Sequence, residues 1–173
     1  MTKEYTFNPG DFVVYPARGV GRVSERRTEN FGGKEQECFT VQFEKNSKIM
    51  IPIDKAITNG LRSVVSPAVM ESVVETLKTK KKPKNAVWAK RSAEYKDKIH
   101  SGDPIALAQV LRELYKDPEL STTQNGSERN FFETALSRLA PEYAVVQQIT
   151  ETEAVAQLKA ILQNTDSTET VSV

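Results

Sequence analysis

The apolar period changes once along this chain of 173 residues. Up to about residue 57 hydrophobic side chains alternate with polar ones, the pattern of strands with one buried face. From about residue 66 they recur every three or four, the pattern of helices with one apolar stripe. The segment Thr58 to Ser66, TNGLRSVVS, separates the two regimes. The expected fold class is therefore α+β in two domains. Residues 1–60 form a small β unit, residues 61–163 an all-α unit, and residues 164–173 a polar, disordered tail.

In the first part, DFVVY is a short β-branched and aromatic run stopped by Pro16. Gly19 and Gly21 flank the next run, and Phe31-Gly32-Gly33 reads as a turn. Phe39, Val41 and Phe43 then fall on one face, with Thr40 and Gln42 on the other. In KIMIPI, Ile49 and Ile51 point inward and Lys48 and Met50 outward. Pro52 must lie at an edge or a strand end, because it has no N–H for the ladder. Short strands joined by tight turns suggest a small, strongly curved barrel.

In the second part, Ser66-Pro67 and Asp103-Pro104 are both helix starts, a capping side chain followed by proline at the first helical position. Ser101-Gly102 closes the helix before the second of them. Leu107, Leu111 and Leu114 form one stripe, widened by Ala108 and Val110. Ser127 begins a helix carrying Phe131, Phe132, Ala135, Leu136 and Leu139, and Pro141 is expected to break or kink it. Thr150 and Glu153 have capping-box spacing. Val155, Leu158, Ile161 and Leu162 form the last stripe.

The charge is concentrated. Between Lys78 and Lys98 lie nine Lys or Arg against Glu94 and Asp97, a local net of +7. The whole chain is only +1, so the remainder sums to −6. A focused patch of this kind attracts polyanions more strongly than the total charge suggests. The only tryptophan, Trp88, stands within it. A lone tryptophan in a small helical domain is usually core, but among cations it can also stack on bases or wedge between them. Lys80 to Lys84 can be a solvated helix end or a set of phosphate contacts. Arg129, near a helix start, can be a solvated arginine or a phosphate ligand beside orphan backbone N–H groups.

Enzyme chemistry is not expected. His100 is the only histidine, which excludes a histidine-based zinc cluster, and no glycine-rich phosphate loop precedes a helix. Cys38, the only cysteine, cannot form an internal disulfide and reads as a small strand residue in a reducing compartment. The absence of an apolar run long enough to span a bilayer, and of a signal-peptide pattern, points to the cytoplasm and away from membranes. No cofactor and no metal are expected.

The run Gly10-Asp11-Phe12-Val13-Val14-Tyr15-Pro16 followed by Gly19, Gly21 and Val23 resembles the start of the CarD/CdnL family of bacterial transcription regulators. The same module occurs in the transcription–repair coupling factor. The resemblance continues through Ile51-Pro52-Ile53-Asp54-Lys55-Ala56 and Gly60-Leu61-Arg62. It then takes in Trp88, Lys90 and Arg91, Ser101-Gly102-Asp103 and Ser127-Glu128-Arg129, in the family's order. It implies a Tudor-like barrel that binds the β subunit of RNA polymerase. It also implies a helical domain on promoter DNA, with the tryptophan wedged in the minor groove at the upstream edge of the bubble. On this reading the DNA-binding residues are Trp88, Lys90, Arg91, Lys81, Lys82, Lys84 and Arg129. The polymerase-binding residues are Lys48, Met50, Ile51 and Pro52, on an edge strand that pairs with a partner's strand. Ser92 stands where many relatives carry tyrosine, and Tyr95, one turn along, is a candidate substitute. The expected molecule is a monomer that stabilises the promoter open complex. The alternative is a polymerase-tethered adaptor whose helices recruit a protein. A reader of methylated tails would need an aromatic cage, which the spacing of Phe and Tyr in the barrel does not provide.

Overall fold

A computed structural model describes residues 7–16, 18–44, 46–79, 86–116 and 126–167. The chain divides into two compact units, Met1–Val64 and Val65–Val173.

The first unit is a five-stranded antiparallel sheet in the order β4-β3-β2-β1-β5. Its strands are β1 (Phe12–Tyr15), β2 (Gly19–Phe31), β3 (Lys34–Gln42), β4 (Lys48–Pro52) and β5 (Arg62–Ser63), with helix α1 (Ile53–Thr58) between the last two. Phe39, Val41 and Phe43 are buried as their alternation requires, together with Phe7, Val13, Val23, Ile51, Ala56 and Leu61. The boundary expected at residue 60 falls short. Arg62 and Ser63 pair with Val14 and Val13, so the chain returns to the sheet before it leaves the unit. The short helix α1 was not visible as a period, because a six-residue helix presents only one buried side chain, Ala56.

Cys38 is fully buried although its neighbour Phe39 is buried too. A bulge between Val23 and Glu25 shifts the β2–β3 register, and the Ser24 hydroxyl donates to the carbonyl of Thr40 at 3.2 Å. Burial raises the Cys38 thiol above its ordinary value, with Glu29 adding to the rise and Arg27 opposing it. The thiol therefore stays protonated and poorly nucleophilic.

The second unit contains α2 (Pro67–Lys78), α3 (Trp88–Ser101), α4 (Pro104–Leu114), α5 (Gly126–Gln147) and α6 (Glu151–Ser167). Its starts and stops obey the side chains that signalled them. The Ser66 hydroxyl accepts from Val69 N at 3.3 Å and the Asp103 carboxylate from Ile105 N at 3.0 Å. Gly102 closes α3 in the left-handed region at φ 67°. Thr150 and Glu153 bond each other's backbone N–H reciprocally, at 3.2 and 2.9 Å. Pro141 does not end its helix. α5 continues six residues past it, since Leu139, Ala140, Tyr143 and Ala144 are all buried around it and their packing outweighs one lost backbone bond. α6 likewise runs to Ser167, past the residue-164 start expected for the tail, and the remaining tail lies outside the described residues. Glu142 is the one buried charged residue among those described, and its carboxylate accepts from Val65 N at 3.0 Å. That bond ties the start of the unit to the middle of α5. No helix among the described residues is long and apolar enough to cross a membrane.

Gly21 shows why the β1–β2 hairpin tolerates no side chain there. A Cβ at this position would lie 2.6 Å from Val41 Cγ1 and 2.9 Å from the Phe43 ring. Both neighbours are buried core residues. Gly21→Ala should destabilise the sheet unit by about 1–3 kcal/mol. Buried Cys38 reports on that unit alone. Its labelling by a thiol reagent should accelerate about 5- to 150-fold, and an unchanged rate would mean that the sheet relaxes around the added methyl.

Candidate functional site

Helix α3 is the most polar of the helices that carry the sequence signals. Its only fully buried residue is Tyr95. Trp88 and Ile99 are partly buried against the same core. The spacing 88, 95, 99 places these three on one narrow face, so α3 docks through a single seam. Of the rest of the helix, Lys90, Lys96 and Asp97 are exposed, while Arg91, Ser92, Glu94 and Lys98 are partly buried.

Trp88 is the first residue of α3 and the end of that seam. Its ring lies 6.2 Å from Phe131 of α5 and 6.5 Å from Tyr95, at 48° and 55°. Tyr95 and Phe131 complete the triangle at 5.8 Å. Trp88 is thus half-buried, held on one side by aromatic rings and open on another. Val87, which precedes it, is 77% exposed and gives α3 no side-chain cap. Its carbonyl accepts from Lys90 N and Arg91 N at 3.0 and 3.1 Å. An exposed valine, a partly buried tryptophan and an exposed lysine therefore stand together at a helix start with no side-chain cap.

The other expected DNA contacts divide three ways. Lys90 and Arg129 are exposed. Lys81, Lys82 and Lys84 lie outside the described residues. Arg91 faces the protein. Its guanidinium carbon sits 5.6 Å from the centre of the Trp88 ring and 5.7 Å from that of Tyr95. Its Nη2 donates to the Tyr95 hydroxyl at 3.1 Å and lies 3.9 Å from Glu128 Oε1. Glu128 Oε2 in turn pairs with Lys116 Nζ at 3.0 Å. Tyr95 cannot replace a surface tyrosine at position 92, because only 2% of it is exposed. The Ser92 hydroxyl bonds back to the carbonyl of Ala89 at 3.0 Å. Sequence reasoning missed Val87, Phe131 and Glu128 as parts of this site. Glu128 was legible only as a motif member, since nothing in its spacing reveals a partner in another helix.

In the first unit, β4 pairs with β3 alone and is an edge of the sheet. Lys48 is exposed, Met50 and Pro52 are half-buried, and Ile51 is 4% exposed within the core. The side chain of Ile51 is thus withdrawn from any partner, because the strand's alternation turns it inward.

Residues 72–159 match the family model of the CarD C-terminal domain, and residues 7–65 match that of the CarD-like/TRCF RID domain. The chain belongs to the CarD family. It is 25% identical over 146 residues to "Putative transcription factor YdeB" of Bacillus subtilis (strain 168), covering 84% of this chain and 95% of the relative. It is also similar to the solution structure of the 72-residue N-terminal domain of Myxococcus xanthus CarD. The identity is 32%, covering 34% of this chain and 79% of that one, with a TM-score of 0.30. The two family segments follow one another in the order of the sheet and helical units.

The buried phenols of Tyr95 and Tyr143 should make the helical unit sensitive to alkali. Burial is the main cause that raises the Tyr95 phenol above its ordinary 10.0. The Arg91 hydrogen bond lowers it and Glu113 adds to the rise. Burial raises Tyr143 in the same direction. The unfolded chain therefore loses these protons first. The stabilisation is intact below pH 10.0 and declines as pH rises through the folded values. Melting temperature should fall as pH is taken from neutrality to above 10.0, and Tyr95→Phe should make the fall shallower. An equally steep fall in that variant would assign the alkaline sensitivity to other groups.

Proposed function

We propose that this protein regulates transcription by anchoring its sheet unit on the β subunit of RNA polymerase and applying α3 to promoter DNA, where Trp88 stabilises the open complex. The observation that carries this reading is the state of Trp88. It is half-buried on an aromatic platform, with exposed Val87 and Lys90 beside it, in the one strongly basic stretch of a nearly neutral chain. A buried tryptophan would have no face to offer a base. A fully exposed one would have no support against which to wedge.

Phosphate contacts from Lys90, Arg129, Lys81, Lys82 and Lys84 position the unit and carry no sequence information. The exposed indole then meets a minor groove at the upstream fork, and Val87 extends its apolar edge. A wedge that binds unstacked steps better than duplex shifts the equilibrium by that difference in affinity. Membership of the CarD family and the likeness to a relative named as a transcription factor support the regulatory role. On the sheet unit, Lys48 and Met50 lie on the edge strand β4, which pairs with β3 alone, and a partner strand would add at that edge.

Trp88→Ala should shorten open-complex lifetime about 5- to 150-fold, the equivalent of stacking worth about 1–3 kcal/mol. Its cost in stability should stay below the roughly 3–5 kcal/mol of a fully buried tryptophan. Open-complex decay under competitor challenge and thermal unfolding, run side by side, check both numbers. Wild-type decay kinetics would leave the helical unit as a protein-recruiting surface instead.

Met50→Glu should weaken co-purification with polymerase while leaving the duplex affinity of the free protein intact. Loss of both together, or of neither, would remove β4 as the anchor.

A further inference from the structure

Glu128 lies on α5, outside the basic block, yet its carboxylate comes within 3.9 Å of the cation that covers Trp88. We propose that Glu128 and Arg91 form a clamp that sets the orientation of Trp88, so that Arg91 is a positioning residue rather than a phosphate contact. The inference rests on the reading of Trp88 as the side chain that meets DNA.

The aromatic platform alone underdetermines the indole. Phe131 and Tyr95 approach it tilted, with centroids more than 6 Å away. Such contacts bound a ring without selecting one rotamer. Arg91 adds a flat guanidinium over the Trp88 ring at 5.6 Å, an arrangement that lysine reproduces poorly because its charge is a point on a flexible stem. Left to itself, an arginine three residues along a basic helix would extend into water or toward a phosphate. Here several contacts hold it back. Its side chain is 18% exposed, and Nε is buried with no partner among the described residues. Nη2 is engaged by the Tyr95 hydroxyl and faces Glu128, itself 13% exposed and paired with Lys116. The Lys116–Glu128–Arg91–Trp88 series thus runs from the chain after α4, through α5, to the tip of α3. A wedge already fixed in place loses less freedom when it meets DNA than one that must be ordered on binding.

The test uses the full-length protein and its single tryptophan, whose emission reports on Trp88 alone when excited beyond tyrosine absorption. Arg91→Lys keeps the cation and removes the flat contact. Glu128→Gln keeps the shape and removes the anion. Without DNA, both should increase acrylamide quenching of Trp88 and lower its anisotropy. Each should shorten open-complex lifetime about 2- to 30-fold, the range spanned by one cation–π contact. Neither should shorten it further in a Trp88→Ala background. Arg91→Lys and Arg91→Ala should both leave the salt dependence of duplex binding unchanged. A slope flattened by about one in Arg91→Ala, with full lifetime in Arg91→Lys, would make Arg91 a phosphate contact and overturn the clamp. Unchanged quenching and anisotropy in both clamp variants would overturn it as well. If Glu128→Gln prevents folding, Arg91→Lys alone decides through the fluorescence. If Trp88→Ala leaves the lifetime untouched, the DNA reading fails, while quenching in the free protein still decides whether the clamp exists.

Discussion

The attachment of α3 to the helical unit is the constraint on which the rest depends. A helix that carries charge on most of its surface cannot bury a broad apolar stripe. α3 therefore docks by one seam of Trp88, Tyr95 and Ile99 against a core built by α2, α4, α5 and α6. Because the seam reaches the first residue of the helix, its last member sits at the rim. Trp88 is therefore shared between the core and the surface. The same economy explains Arg91, whose guanidinium fills the flank of a seam that has too few apolar side chains to close itself.

The sheet unit meets a different constraint. Five strands in the order β4-β3-β2-β1-β5 leave two edges, and β5 is only two residues long. A two-residue edge offers little to pair with, whereas β4 is five residues long. Its inward side chain, Ile51, is committed to the core beside Phe39 and Val41, which fixes the register and hence which groups face out.

How much of this was legible depends on the range of the interaction. Capping pairs act over two or three residues, and Ser66, Asp103 and the Thr150–Glu153 box behave as their spacing says. The Leu107–Leu111–Leu114 stripe and the Phe39–Val41–Phe43 alternation likewise find the core. Pro141 does not break its helix, because its local preference to end one is opposed by packing on both sides of it. Tyr95 misled as a surface candidate, because a basic neighbourhood says nothing about which way one ring turns.

The sequence by itself determined the two-part α+β order, the helix starts and the location of the positive charge, all properties of neighbours along the chain. Tertiary structure alone decided that Arg91 turns inward, that Trp88 is shared between core and surface, and that Glu128 is their companion. Those outcomes depend on where α5 lies against α3. A contact between residues 91 and 128 leaves no periodic trace in either segment, since its energy arises only when two helices are already packed.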